Sequence, residues 1–514
     1  MIVVYHQNNR VTKVISNQNE SVAFAMHSSI PEVLMILAHQ FPLEPIVWCH
    51  QLLENSLNMD KIATLFHHNK MMLSFRPKSN NFFDNSIGYA EESLFINVNK
   101  KVSYPTWQMS SYVGVIHASV LNAIGDKIVC EPDLDYYLSS LAKLCMPLGL
   151  LCYSEPQLLK SVEIIDSLVK ASNFTLFRFV KQHYKTRWVF LLALNLLLYE
   201  RKILFYPFIS ALFLKRRFNN KINIDDIVVQ SSRVIIDKGT IDVIIPTIGR
   251  KEYLYDVLKD FSKQSLLPQK IVIVEQNPEP FSKSELDYVA TENWPFEIQH
   301  IFTHQAGACN ARNLALSQTR SEWVFLADDD NRFEADLLKE VFQKIKKYGC
   351  KVVTTYYPQK GERKSHHKVM QWPTFGAGNS FLKSTILQHV KFNMAFEFGY
   401  GEDSDFGMQL RNQGNDILFL PEPSILHLKA PVGGFRTKPI LKWHNEKIQP
   451  KPSPTVMLYL ITHNTKQQIL GYKTVLFFKY YKHQKIRNPF QYFAVFNKQW
   501  KQSIFWANQL KIDS

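Results

Sequence analysis

Residues 322–332 read EWVFLADDDNR, an apolar run from Trp323 to Ala327 that ends in three consecutive carboxylates, Asp328, Asp329 and Asp330. A short apolar run before polar residues fits a strand buried on both faces. Carboxylates crowded at its end raise each other's pKa unless a cation lies between them, so the triplet reads as a divalent-metal site. Working outward, "IDVIIPTIGR" from Ile241 reads as a strand ending in a Pro/Gly loop. "EYLYDVLKDFSKQS" from Glu252 reads as an amphipathic helix, "KIVIVEQN" from Lys270 as a second buried strand, and "QAGACNARNLALSQT" from Gln305 as a glycine-led helix. This alternation predicts an α/β fold: a doubly wound, mostly parallel sheet with helices on both faces, which binds ligands at the carboxyl ends of its strands. A second acidic group, Glu402, Asp403 and Asp405 in "GYGEDSDFGMQLRNQG", follows some seventy residues later.

With 514 residues, 46% of them hydrophobic, the chain can bury more than one core. Its formal net charge of +15 is unevenly spread, because residues 431–514 hold 14 basic and 2 acidic residues. Such a tail seeks polyanions: nucleic acid, anionic lipid or an anionic glycan. The six cysteines form no C-x-x-C pair, which suits a reducing cytosol, and the N-terminus lacks the pattern of a secretory signal, so no export is expected. Between Trp188 and Leu214 two apolar runs flank Glu200, Arg201 and Lys202. Neither reaches the ~20 residues of a bilayer span, and central charges cost roughly 2.5–3.5 kcal/mol each on insertion. The basic flanks suit helices lying at a membrane surface; a buried hairpin linking two domains is the alternative. The aromatic and basic tail after Pro450 likewise fits a membrane interface better than RNA, since no RNA-binding module accompanies it.

The first 160 residues resemble a worn copy of the later ones. "YPTWQMSSYVGVIHASVL" from Tyr104 matches "WPTFGAGNSFLKSTIL" from Trp372, and Pro105 to Glu155 spans 50 residues where Pro373 to Glu422 spans 49. The chemistry is missing from this copy: Pro132 stands for Glu402, Lys160 for His427, and the acidic triplet falls near His50 and Gln51. Fewer than thirty residues precede the helix "IPEVLMILAHQF", too few for the two opening strands. The expected domains are a degenerate module at 1–165, a helical linker at 166–235, a catalytic domain at 236–436 and basic aromatic helices at 437–514.

"VIIPTIGR", "VEQN", "GACNARNLAL", "LADDDN", "GAGNSFLKS" and "GYGEDSDFGMQLRNQG" occur in the order and rough spacing of the family 2 glycosyltransferases, inverting enzymes of the GT-A fold. The resemblance covers about residues 240–436 and implies a hexosyltransferase using a nucleoside-diphosphate sugar. It implies Asp328 near the ribose, Asp330 on Mn²⁺ or Mg²⁺, and His427 completing the metal shell, although a lone histidine is often structural. Asp403 would be the base on the acceptor hydroxyl and Glu402 an acceptor hydrogen bond, with Asp405 a helix N-terminal acid. Pro246 and Thr247 would cradle base and ribose, Glu275 stands where the family carries Asp on a uracil-type base, and Arg312 would face the nucleotide or its phosphates. Gly307 would allow close backbone approach, Gly378 and Asn379 would line the sugar pocket, and Arg436 would close over the diphosphate. His366 and His367 read as a polar acceptor loop rather than ligands.

The implied task is assembly of a cell-surface polysaccharide on a glycan or lipid-linked acceptor at the cytoplasmic membrane face, without nucleic acid. Two alternatives stay open: a metal-dependent nucleotidyltransferase, which would release pyrophosphate, and a non-catalytic glycan- or nucleotide-binding protein. No G-x-G-x-x-G or Walker A sequence is present, so dinucleotide and P-loop readings lack their signature.

Overall fold

The computed structural model describes residues 1–16, 18, 20–24, 27–77, 81–161, 170–430 and 440–512. The chain forms two compact units. Unit 1 comprises Met1–Arg233, Asn412–Gly414 and Asn464–Phe478; unit 2 comprises Val234–Arg411, Asn415–His463 and Lys479–Ser514.

Unit 1 is built on β1 (Ile2–Gln7), β2 (Arg10–Ile15), β3 (Pro45–His50), β4 (Met71–Phe75), β5 (Tyr104–Pro105), β6 (Val113–His117) and β7 (Leu151–Ser154), in the order β2-β1-β3-β6-β4-β7-β5. Its central strands are apolar on both faces because helices cover the sheet. The helix Ile30–Gln40 buries Ile30, Val33, Leu34 and Leu37, and a capping box of Ser29 and Glu32 satisfies its first amides. Two strands do precede this helix, contrary to the length argument. They form an antiparallel hairpin closed at Asn8 and Asn9 (φ 52° and 57°), a turn needing two residues where a parallel crossover needs a helix.

Unit 2 carries β8 (Ile241–Thr247), β9 (Lys270–Gln276), β10 (Glu297–Thr303), β11 (Trp323–Ala327), β12 (Asn331–Arg332), β13 (Val352–Tyr356), β14 (Met370–Gln371), β15 (Asn379–Lys383), β16 (Leu418–Ser424) and β17 (Leu426–His427). Its main sheet runs β10-β9-β8-β11-β15-β13-β16-β14, and β12 pairs with β17 beside it. Strands β8 to β11 are parallel, while β15 runs antiparallel to both β11 and β13. The amphipathic helices Lys251–Ser262 and Leu337–Tyr348 bury Leu254, Val257, Leu258 and Phe261, and Leu338, Val341, Phe342 and Ile345, respectively. This is the mixed α/β architecture of the GT-A class.

The two sheets share one pairing scheme. In both β1-β3-β6-β4-β7-β5 and β8-β11-β15-β13-β16-β14 the successive pairings are parallel, antiparallel, antiparallel, parallel and antiparallel. They diverge beyond the first strand of each series. Unit 2 adds the parallel strands β9 and β10, whereas unit 1 adds only the hairpin partner β2.

Candidate active site

The acidic triplet follows β11, and the β12–β17 ladder pairs Asn331 with His427 and so brings His427 to it. The Leu428 amide donates to the Asp330 carbonyl at 3.0 Å, locking this approach. Ligand atoms of Asp328, Asp330 and His427 lie within 4.8 Å of one another. Asp330 is 1% exposed. Its Oδ2 accepts the Ala430 amide at 2.9 Å and lies 3.2 Å from Arg250 Nη1. Its Oδ1 is shut off from water without a hydrogen-bond partner, 3.6 Å from His427 Nε2. A buried carboxylate oxygen with no partner is costly, and a divalent cation relieves that cost. The residue set therefore fits such an ion.

The triplet's other members are held differently. Asp328 accepts Arg312 Nη2 at 3.4 Å and the Tyr357 hydroxyl at 3.0 Å. Its place requires a bare backbone opposite, since a Cβ on Gly378 would lie 2.0 Å from Asp328 Oδ2. Asp329 accepts Thr247 Oγ1 at 2.6 Å and pairs with Arg250; burial pushes its carboxyl up to about 6 against the pull of that guanidinium. It serves as a buried anchor for the first loop.

A cleft of ≈ 530 Å³ opens at the carboxyl ends of β8, β9 and β11. Of the residues singled out from sequence, Pro246, Thr247, Gly307, Arg312, Asp328, Asp330, Glu402 and His427 line it together. Gly307 has φ 144°, donates to Gln276 Oε1 at 2.6 Å, and would set a Cβ 2.4 Å from Glu397 Oε2. Arg312 is buried, between Asp328 and Asp403, with Nη1 4.0 Å from Asp403 Oδ1.

Four residues expected to bind the donor or act on the acceptor, Glu275, Gly378, Asn379 and Asp403, do not line this cleft. Glu275 gives its carboxylate to His300 Nε2 (2.8 Å) and the Glu285 amide (3.1 Å), because β10 runs alongside β9; its neighbour Gln276 takes the lining position. Asn379 turns into the sheet, donating to Thr354 Oγ1 at 3.1 Å and the Thr355 carbonyl at 2.5 Å, so its side chain braces β13 instead of meeting a sugar. Gly378 accepts Asn331 Nδ2 at 2.8 Å and makes room for Asp328. Asp403 accepts the Ala377 amide on Oδ2 at 3.2 Å, while its Oδ1, facing Arg312, is shut off from water and has no hydrogen bond.

Burial, together with mutual repulsion, raises the adjacent carboxyls, Glu402 to about 7; Asp403 is raised by burial and Asp328 against the pull of Arg312. Asp405 is buried between His463 Nε2 and Gln409 Nε2, each at 2.7 Å, and so is structural. His366 packs on Trp372 and Phe419 and is absent from the metal cluster. Arg436 lies outside the described residues.

Residues 242–401 match the family described as Glycosyl transferase family 2. Unit 2 carries a family 2 glycosyltransferase domain. No curated protein matches the chain. Solved structures of S. aureus TarS are among the structural matches. TarS 1–349 with UDP is 18% identical over 37% of this chain and 61% of that chain, at a TM-score of 0.32. TarS 1–349 with UDP-GlcNAc is 16% identical over 46% and 70%, at 0.34. The chain spans 37% of the S. aureus TarS structure, at 19% identity and a TM-score of 0.31.

Three site residues of the glycosyltransferase domain escape a reading of the sequence. Arg250 sits where charge after a Pro/Gly loop could have signalled a partner for the triplet. Glu397, on a loop, accepts the Cys309 and Asn310 amides at 3.1 and 2.8 Å, capping the helix Ala308–Leu316. Tyr357 binds Asp328 and Asn331 Oδ1 (2.5 Å) and stacks on His427 at 4.5 Å. Burial and the acidic neighbours hold its hydroxyl far above the usual range, so it stays a donor. Replacing Tyr357 with Phe keeps the stack but frees Asp328, and is expected to weaken Mn²⁺ dependence of turnover by about 10-fold, within the roughly 10–100-fold range of lost ligand-orienting contacts. A Mn²⁺ titration of initial rates checks this; an unchanged half-saturating Mn²⁺ concentration contradicts it.

Proposed function

We propose that unit 2 transfers a hexose or related sugar, with inversion, from a nucleoside diphosphate to a hydroxyl of a glycan or lipid-linked acceptor in surface polysaccharide assembly. The observation that carries the reading is the unpartnered, buried Asp330 Oδ1 facing His427 beside Asp328. Asp330, Asp328 and His427 would hold Mn²⁺ or Mg²⁺, which when bound neutralises charge on the departing diphosphate. Gly307 and the open first loop give the nucleotide a close backbone approach, and Arg312 offers a cation between donor and acceptor sides. Asp403, oriented by the Ala377 amide and by Arg312 Nη1 at 4.0 Å, takes the acceptor proton on its carboxylate. Inversion in one displacement requires such a base opposite the leaving group. Glu402, beside it on the cleft wall, would hydrogen-bond the acceptor.

A thermal-shift series of nucleoside diphosphates, with and without Mn²⁺, tests donor binding, because a ligand selective for the native state raises apparent stability. At least one diphosphate is expected to raise the melting temperature only when Mn²⁺ is present. The reading fails if none does.

The membrane reading rests on unit 1. The helices Arg187–Glu200 and Phe205–Leu212 leave Phe190, Leu198, Phe205, Tyr206 and Phe213 exposed among exposed Lys185, Arg187, Lys202, Lys215 and Arg216. Among the described residues no helix is long and apolar enough to cross a membrane. Aromatic and basic groups in this mixture support peripheral docking on an anionic cytoplasmic face. Cosedimentation with vesicles containing anionic lipid is expected, and with neutral vesicles is not; equal recovery from both refutes the charge argument.

A further inference from the structure

Unit 1 keeps the six-strand series it shares with unit 2 and has no counterpart of β9 and β10. Where unit 2 opens a cleft at β8, β9 and β11, unit 1 has a hairpin. Within the shared series, around the ends of β4 and β7 and the segment before β6, lies a cavity of ≈ 630 Å³. Arg76, Lys100 and Lys101 line it, and no described lining residue is acidic. The cleft of unit 2 has the opposite sign, with Asp328, Asp329, Asp330 and Glu402 on its wall. Arg76 follows β4 as Tyr357 follows β13, and its guanidinium is fixed by Asp135 at 3.3 Å. Burial and Arg76 pull the Lys100 ammonium below its usual range, a repulsion that a bound anion relieves. Gln108 Oε1 is shut off from water with no hydrogen-bond partner, and Phe75 and Tyr104 form part of the wall. Cationic groups, an amide and aromatic faces in one cavity are the chemistry that recognises an acidic saccharide.

We propose that this cavity binds a saccharide bearing phosphate or carboxylate groups, a stretch of the acceptor, so that unit 1 holds the polymer on which unit 2 works. The word acceptor rests on the transferase reading; the binding site does not.

Isothermal titration of the full chain with glycerol-phosphate oligomers, oligogalacturonate and neutral dextran tests it, the first two separating phosphate from carboxylate. Binding of at least one anionic oligomer without dextran is expected. The double variant Lys100→Glu/Lys101→Glu should lose tenfold or more in affinity, and Gln108→Glu should also weaken binding, while Asp330→Asn leaves it unchanged. Absence of binding, equal binding of dextran, or full affinity in both cavity variants overturns the proposal, the last assigning the anion to the basic C-terminal residues. Loss of the diphosphate thermal shift with oligomer binding intact removes the transferase reading and leaves the cavity assigned.

Discussion

Replacing Asp403 with Asn is expected to lower the rate of transfer by about 10²–10⁴-fold, the usual contribution of a positioned general base, while donor binding stays within a factor of a few. The substitution keeps the side chain's shape and can keep the contact with the Ala377 amide, but removes the negative charge that takes up the proton. Single-turnover transfer alongside nucleotide binding separates the two effects. Retained transfer would remove Asp403 as the base. The pH profile adds a second reading. Glu402 and Asp403 repel each other in a half-buried place, and Glu402 rises to about 7, so the pair holds a proton on the acid side of neutrality. The rate should therefore climb as pH rises towards 7. Glu402→Gln removes the repulsion and should move that limb to lower pH. The same shift acts on stability in the opposite sense: the fold is favoured at low pH and is penalised as pH rises from the ordinary glutamate value of 4.5 through about 7.

Replacing Asp330 is expected to have an effect of comparable size. Asp330→Ala should lower turnover by on the order of 10³-fold or more, which at about 1.4 kcal/mol per decade matches the several kcal/mol that a lost metal ligand removes from charge stabilisation. Asp330 also accepts the Ala430 amide and faces Arg250, so the isosteric Asp330→Asn serves as the control for folding. Both variants should melt close to the parent without nucleotide. Both should lose the Mn²⁺-dependent rise in melting temperature with nucleoside diphosphate. A variant that keeps its Mn²⁺ dependence would exclude Asp330 from the ligand set.

The sheet and its working edge were legible because each buried strand ends in a recognisable break: Pro246 and Thr247 at the end of β8, and the triplet after β11. His427 was legible from its place after "DILFLPEPSIL". The parts that were not legible depend on long-range placement. Glu275 reads as a base-binding carboxylate until β10 is laid beside β9 and His300 takes it. Asn379 lies in a motif that suggests a sugar pocket, yet strand pairing turns its amide towards Thr354 and Thr355. Glu397 stands in "MAFEFGYG" with no local signal, and only the folded chain sets it on the helix start at Gly307. The opening of unit 1 did carry a signal, Asn8 and Asn9 between two apolar runs, which favours a two-residue hairpin over a crossover.

The central claim is that Asp328, Asp330 and His427 grip one divalent ion. Anomalous diffraction from crystals soaked in Mn²⁺ and a nucleoside diphosphate tests it most directly. The account predicts a single strong peak about 2.0–2.6 Å from an Asp330 oxygen, near His427 Nε2. A map without a peak there, with Asp328 still held by Arg312 and Tyr357 and the nucleotide bound elsewhere, would contradict it.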